Sequence, residues 1–455
     1  MRSKAFGALA GAALLVTLTA GCGGGASADD SGTVTVTVGY QSRTINTVTA
    51  GTLLRSLGYF EEELRSRGER DGVTYKVKWQ DYATGAPITA QMTAGKIDIG
   101  SMGDFPLLIN AARGTQLNRP TRLVSVTGYN LAGGLNTVVT ARDSKLDSLT
   151  GLRGKKVSTS VGSAADGTLV RALQQAGLDP EKDIRKLNQQ PAVGASALQA
   201  GSADALSQFV AWPGLLAFQG RAKALYDGAE LNLPTFHGVT VRQDFAKKRP
   251  PVVEDFLRAQ GRATEYLHAH PVAASESVAK ATGLPAEVVH LYNGAQGIAT
   301  FDTTLKPALI AALKKDVPVL RSAELVGDVD VDAFVDDSYL RRVYGSGYAK
   351  ALAAGPPARR GGEVWLKAED TTTAFATPAE VLRYVATHRD AVRTAYVPDA
   401  STGTLWFADR AVWVSDGDAL RPYVTGSAAR ADVKAHPGAR TVPYATALAL
   451  ARGAS

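Results

Sequence analysis

From Thr33 onward the chain switches again and again between strand-like and helix-like runs, and few architectures can hold such a pattern. Val34, Val36 and Val38 alternate with threonine, the period of two that a strand shows. The loop Gly39-Tyr40-Gln41-Ser42-Arg43 follows, then a helical stretch closed by Gly58, a second helix rich in Glu and Arg, and a strand in which Val73, Tyr75, Val77 and Trp79 alternate. A helix opening near Pro87 stops at Gly95, Ile97-Asp98-Ile99 reads as a short strand, and Gly103-Asp104-Phe105-Pro106 opens another helix. Strands near 122–127 and 135–141, a strand from Lys155 to Val161, a helix over 164–176 and another ending at Gly201 continue the series. Repeated βα units predict an α/β fold with mostly parallel sheets covered by helices. In such sheets ligands sit beyond the carboxyl ends of the strands, where loops lead into helix N-termini.

The segment before Thr33 is of another kind. Arg2 and Lys4 give a positive start, residues 5–19 carry no charge, and small residues lead up to Cys22. This is the pattern of a secretory signal over 1–21, and it falls short of the ~20 apolar residues that cross a bilayer. With the cysteine at the cleavage point it resembles a bacterial lipoprotein signal, which implies that Cys22 is lipidated and becomes the first mature residue. Thr19 departs from that family, which has Leu at this place. Residues 22–32, rich in Gly, Ala, Ser and Asp, read as a flexible tether. Cys22 is the single cysteine, so neither a disulfide nor a thiolate metal site is expected.

Residues 33–455 exceed one core of ordinary size, and two or three domains are expected. Fifty basic residues against 43 acidic ones make a mild imbalance. The doublets Lys247-Lys248-Arg249, Arg341-Arg342 and Arg359-Arg360 are scattered, with no basic stripe, so nucleic acid is not an expected partner.

The ordered series Val38-Gly39-Tyr40-Gln41, Ala94 to Gly100, Gly103-Asp104-Phe105-Pro106, Leu149 to Val157, Gly162-Ser163-Ala164, Ala200 to Ala205 and Trp212-Pro213 resembles the solute-binding proteins of ABC importers for aliphatic sulfonates, taurine and nitrate. The resemblance covers roughly residues 33–350. It implies a two-lobed, periplasmic-binding-protein-like (type II) fold over 33–352, closing on a small anionic solute, with an ABC permease and its cytoplasmic ATPase as partners. Crossings between the lobes are expected near 128–138 and 232–242, making about 135–238 the inserted lobe. A monomer without cofactor, held at the extracytoplasmic face of the membrane by its lipid, is the expected form.

A helix N-terminus offers unpaired N–H groups and partial positive charge, and so holds a sulfonate, phosphate or nitrate without a full counter-charge. Gly162-Ser163-Ala164, between a strand and a helix, is the foremost anion-site candidate. Ser163 also reads as the cap of that helix, and the two roles are compatible. Gln41 and Ser42 add neutral donors from the other lobe; Arg43 reads equally as a binding charge and as surface. Gly103 and Asp104 open a helix at the same end of the sheet. Asp104 either meets a ligand ammonium, as in taurine, or caps its helix before Pro106, and the cap is favoured. Asp204 either holds a ligand amine or ends a strand. Asn130, with Gly133-Gly134 at the crossing, either reaches the ligand or belongs to a bend the glycines permit. Trp212 either walls the pocket or packs in the core.

An enzyme is not expected: the sequence shows no nucleophile with its base and no metal set. The histidines are His237, His268, His270, His290, His388 and His436; His268-Ala269-His270 before Pro271 reads as a solvated helix end in preference to a metal site, and none of the others has a partner at zinc-ligand spacing. Residues 353–362, Ala-Ala-Gly-Pro-Pro-Ala-Arg-Arg-Gly-Gly, have a linker's composition, so few contacts are expected to cross them. A small α+β domain over 363–455 should follow. It is expected to open with a strand at 363–368 and a helix at Thr377-Pro378-Ala379-Glu380. Strands at 392–397 and 404–414, and a helix capped by Ser427, come next. The runs Leu405 to Val414 and His436 to Tyr444 resemble the copper-binding accessory lipoproteins of nitrous oxide reductase, which makes metal handling the alternative function. That family uses methionine for Cu(I), whereas the methionines here are Met1, Met92 and Met102, outside this domain. Cys22→Ser is predicted to abolish lipid labelling and membrane retention; unchanged labelling in that variant would contradict the lipoprotein reading.

Overall fold

The computed structural model describes residues 32–453 apart from 357, 359 and 360, so the signal, Cys22 and the tether up to residue 31 lie outside the described residues. β1 (Thr33–Tyr40) runs parallel to both β2 (Thr74–Asp81) and β3 (Ile99–Gly103). β4 (Thr121–Asn130) then leads out of this sheet. A second one is built from β5 (Asn136–Ala141), β6 (Lys156–Thr159), β7 (Arg185–Asn188), β8 (Ala205–Phe209) and β9 (Ala222–Asp227). The chain returns in β10 (Thr235–Arg242), and β11 (Thr300–Phe301) completes the first sheet. The orders are β11-β4-β10-β3-β1-β2 and β7-β6-β8-β5-β9.

The two sheets repeat one plan. In each, a strand has parallel neighbours on both sides, and an antiparallel strand that has arrived from the other lobe lies beside them. β10 sits between β3 and β4, and β5 between β8 and β9. The crossings are residues 131–135 and 228–234. The return comes earlier than the sequence reading places it, because Thr235 to Arg242 already pair with β3 and β4. The inserted lobe therefore ends at Asp227 and not near 238. Val36 and Val38 point to one face of β1 and are fully buried in a core with Leu54, Phe60, Ile88 and Met92 of the covering helices.

The C-terminal part folds as two small antiparallel sheets and three helices. One sheet holds β12 (Gly362–Leu366), β13 (Thr372–Phe375), β14 (Val392–Pro398) and β15 (Leu405–Phe407). The other holds β16 (Val412–Asp416), β17 (Ala419–Tyr423) and β18 (Arg440–Val442). The helix Pro378–Thr387 starts where its capping residues predict: Thr377 Oγ1 accepts the Glu380 N–H (3.2 Å), and the Glu380 carboxylate accepts the Ala376 N–H (2.9 Å). Residues 404–414 are not one strand. A turn breaks them into β15 and β16 of different sheets, and Trp413 Nε1 donates to the Ala408 carbonyl across it (2.8 Å). The helix Gly426–Ala435 is capped by Thr425 and not by Ser427.

The linker composition misleads about what lies beyond it. Tyr396, Leu405, Trp406, Phe407 and Val424 share a buried cluster with Ile45, Val48, Leu53, Leu135, Val210 and Tyr292 of the lobes. Beside that cluster His290 Nε2 meets the buried Glu363 carboxylate at 3.1 Å, and Thr372 donates to the same group at 2.6 Å. Burial pushes the Glu363 carboxyl up, but the bonds from His290 and Thr372 outweigh it and hold the group below its usual range. The Tyr396 hydroxyl donates to the Glu287 carbonyl (2.8 Å), and Arg393 pairs with Glu287 and Glu276 above the Trp365 ring. A flexible joint permits two domains to pack as readily as it permits them to separate, so the expectation of few crossing contacts is corrected. A chain ending near residue 355 would expose this apolar face, so it should bind a hydrophobic dye and lose cooperativity. Phe407→Ala should cost about 3–5 kcal/mol in urea denaturation; a loss under about 1 kcal/mol would contradict a shared core.

Candidate functional site between the lobes

Loops at the carboxyl ends of β1, β2, β3, β6, β7 and β8, together with His237 of β10, surround a cavity of ≈ 180 Å³. The first lobe supplies Gln41, Thr84, Gly85, Ala86, Gly103, Pro106 and Ile109, and the second supplies Ser160, Gly162, Ser163, Ala164, Asn188, Gln190 and Phe209. None of the lining residues is Lys, Arg, Asp or Glu. The lobes meet beside the cavity, where a Cβ on Gly167 would fall 2.0 Å from the Phe105 ring, so only glycine fits there.

Two helices begin at this wall, one from each lobe. Gly85–Thr93 follows Thr84, and Ala164–Gln175 follows Ser163. The first N–H groups of a helix have no partner within it. Thr84 makes no capping bond. Ser163 Oγ accepts the Asp166 N–H (3.3 Å), which leaves the hydroxyl proton free to donate. The cavity thus combines fixed backbone dipoles with neutral donors, flanked by the apolar groups of Pro106, Ile109 and Phe209.

A third helix, Asp104–Gln116, also starts here, but its own carboxyl covers the N-terminus. Asp104 is fully buried, with Oδ1 accepting the Phe105 N–H (2.8 Å) and Oδ2 the Phe236 N–H (3.2 Å). Burial outweighs those bonds and pushes the group up to about 6. Asp166 plays a related part in the second lobe. It takes the Gly162 N–H (3.0 Å), and Lys186 stands 3.6 Å away.

His237 is buried, and its Nδ1 lies 2.6 Å from Asn46 Nδ2. An amide NH₂ only donates, so Nδ1 accepts and the ring proton sits on Nε2, at the wall beside Gly103. Burial lowers this imidazole to about 3, which makes it a neutral donor at ordinary pH.

Of the residues singled out in the sequence, Gln41, Gly103, Gly162, Ser163 and Ala164 come together at the cavity. The other five do not line it. Ser42 is tied to Asp81, its N–H to Oδ1 (2.8 Å) and its hydroxyl to Oδ2 (2.6 Å). Asn130 is consumed by the crossing: Oδ1 accepts the N–H groups of Ala132, Gly133 and Gly134, and Nδ2 donates to Ile298. Asp204 precedes β8 at the far end of the sheet and bonds the Lys156 N–H (2.8 Å). Asp104 is the buried helix-end group just described. Trp212 packs beneath Arg43, its ring centroid 6.0 Å from the guanidinium carbon, and neither lines the cavity.

Thr84, Asn188, Gln190 and His237 were missed. Thr84-Gly85 and Gln190-Pro191 carry the same loop-to-helix signal as Ser163 and were legible. His237 sits inside a strand with no local mark. Among the described residues, no group of three or more His, Cys, Asp or Glu is placed to hold a metal.

In the unfolded chain His237 takes up a proton below about 6.5, while in the fold it stays neutral down to about 3. Its contribution is therefore complete above 6.5 and is lost as pH falls from 6.5 to 3. The stability of the protein relative to His237→Gln should rise with pH across that window by up to about 1.4 kcal/mol per unit. It should then level off. Denaturation curves at pH 4.5, 5.5 and 7 test this, and a pH-independent difference would contradict a buried neutral ring.

Residues 71–274 match the model of the NMT1/THI5 like family. A protein described as a "Putative aliphatic sulfonates-binding protein", from Escherichia coli (strain K12), is 28% identical over 242 residues, 53% of this chain and 72% of that protein. One from Bacillus subtilis (strain 168) is 25% identical over 330 residues, 72% of this chain and 94% of that protein. The solved alkanesulfonate-binding protein of Xanthomonas axonopodis pv. citri, bound to MOPS, superposes with a TM-score of 0.56 at 23% identity, over 66% of this chain and 98% of that one. Residues 71–274 thus resemble the NMT1/THI5 like family, and the chain has the two-lobed fold of these binding proteins, extended by a C-terminal α+β part.

Proposed function

We propose that the protein is the extracytoplasmic solute-binding subunit of an ABC importer, tethered to the membrane through Cys22, acting as a monomer and not as an enzyme. Its cavity captures a small organic anion, best an alkanesulfonate, for delivery to a permease. The observation that carries this reading is that one helix N-terminus from each lobe begins at the same cavity, whose wall holds no charged side chain. An anion there gains from both ends only when the lobes are together, and that difference is what a ligand needs to bias closure. The relatives bind sulfonates by name, which agrees with this chemistry.

The wall also discriminates. Ile109, Phe209 and Pro106 suit a short apolar tail, and nitrate would leave them uncovered. Taurine brings an ammonium that requires a carboxylate, and the carboxylates considered for that role, Asp104 and Asp204, are engaged elsewhere. Calorimetry should show ethanesulfonate binding at least about tenfold more tightly than taurine, a difference of about 1.4 kcal/mol. Ser163→Ala and Gln41→Ala should each weaken ethanesulfonate by about 1–3 kcal/mol. Absence of heat with every alkanesulfonate tried, or taurine as the tighter ligand, would overturn the reading.

A further inference from the structure

The C-terminal domain does more than cover an apolar face, because it grips the hinge. Its turn at residues 399–404 lies against both crossings. The Thr402 hydroxyl donates at 2.8 Å to the carboxylate of Asp227, the buried residue that ends β9 and starts the return crossing. Asp227 uses its other oxygen to accept the Ala229 N–H within that crossing (3.0 Å). Thr404 Oγ1 stands 3.1 Å from where a Cβ on Gly134 would lie, in the outgoing crossing. The turn is itself rigid: Asp399 Oδ1 accepts from Ser401 and Thr402, and Oδ2 accepts the Val424 N–H.

From this point the domain reaches onto both lobes. On the first it is held by Glu363 against His290, Tyr396 against Glu287, and Arg393 against Glu276 and Glu287. On the second, Arg410 donates to the Phe218 carbonyl (3.3 Å), the Phe407 and Phe218 rings lie 5.4 Å apart, and Arg430 bonds the Asp147 carbonyl (2.8 Å). A hinge needs crossings that can change their φ and ψ and lobes that can separate. Here a third body is fastened to the crossings and to each lobe.

We infer that the C-terminal domain is a built-in hinge clamp that holds the lobes close to their closed relation and must release the second lobe before they open widely. The shared apolar cluster draws on both lobes, Val210, Ala217 and Ala224 of the second among them, but the buried Glu363–His290 pair lies on the first-lobe side, whereas Arg410 and Arg430 reach the second lobe from its partly exposed rim, so release should begin on the second-lobe side.

The test needs no solute and so stands apart from the binding reading. In the full chain with Cys22→Ser, spin labels at Ser66→Cys on the first lobe and Ser196→Cys on the second report the distribution of lobe separation. The unaltered domain should give one narrow distribution. Thr402→Val with Arg410→Ala and Arg430→Ala should broaden it and shift it to longer separations, at an unchanged first-lobe contact between Glu363 and His290. Arg430→Glu, an exposed change that leaves every core residue in place, should shift it in the same direction and decides the matter should the triple variant fail to fold. A narrow distribution retained in Arg430→Glu, or broad separation already present with the unaltered domain, would overturn the clamp.

Discussion

Each lobe of this protein depends on a strand delivered from the other. β5 and β10 are interior strands of their sheets, paired on both sides, and each is reached by one short crossing. The crossings touch through backbone: a Cβ on Gly133 would fall 2.8 Å from the carbonyl oxygens of Gly228 and Leu233, and one on Gly228 would fall 2.6 Å from that of Gly133. Glycine is required at both, and at Gly133 the positive φ of 105° requires it again. Asn130 then ties three successive N–H groups of the outgoing crossing to one side-chain oxygen. The relation of the lobes, and therefore the cavity between them, follows from this joint.

Electrostatics within the joint's reach are arranged by subtraction. Several helices begin near the cavity, and the one that starts at Asp104 has its end covered by its own buried carboxyl. Arg171 reaches from the second lobe to the buried Asp316 at 2.9 Å, so the cation and the acids nearby satisfy one another away from the wall. What remains open to the cavity is neutral: N–H groups at two helix ends, hydroxyls, amides and an uncharged imidazole. Such a wall holds an anion without the desolvation cost of burying a cationic side chain.

The architecture was legible because it rests on periodicity. The alternation that begins at Val34 and recurs through Lys155 to Val161 fixes the α/β class, and the rule that loops after parallel strands build sites led to Gln41, Gly103 and Ser163. The failures share a cause. Ser42 and Asp204 lie in loops and Asn130 ends a strand, yet each is consumed by a backbone or carboxylate partner that only the fold reveals. His237 was invisible because its role comes from a tertiary partner, Asn46, far away in the chain. The docking of the C-terminal domain was invisible too. Leu405, Trp406 and Phe407 look like the core of a small module, and nothing in their order shows that part of that core belongs to the lobes.

The most direct measurement is the position of a heavy-atom sulfonate in a crystal. A crystal soaked or grown with 2-bromoethanesulfonate should show its bromine signal in the cavity, beside Phe209 and Ile109, with the sulfonate between the N–H groups that follow Thr84 and Ser163. Bromine bound reproducibly elsewhere, with this cavity empty at saturating ligand, would contradict an anion held between the two lobes.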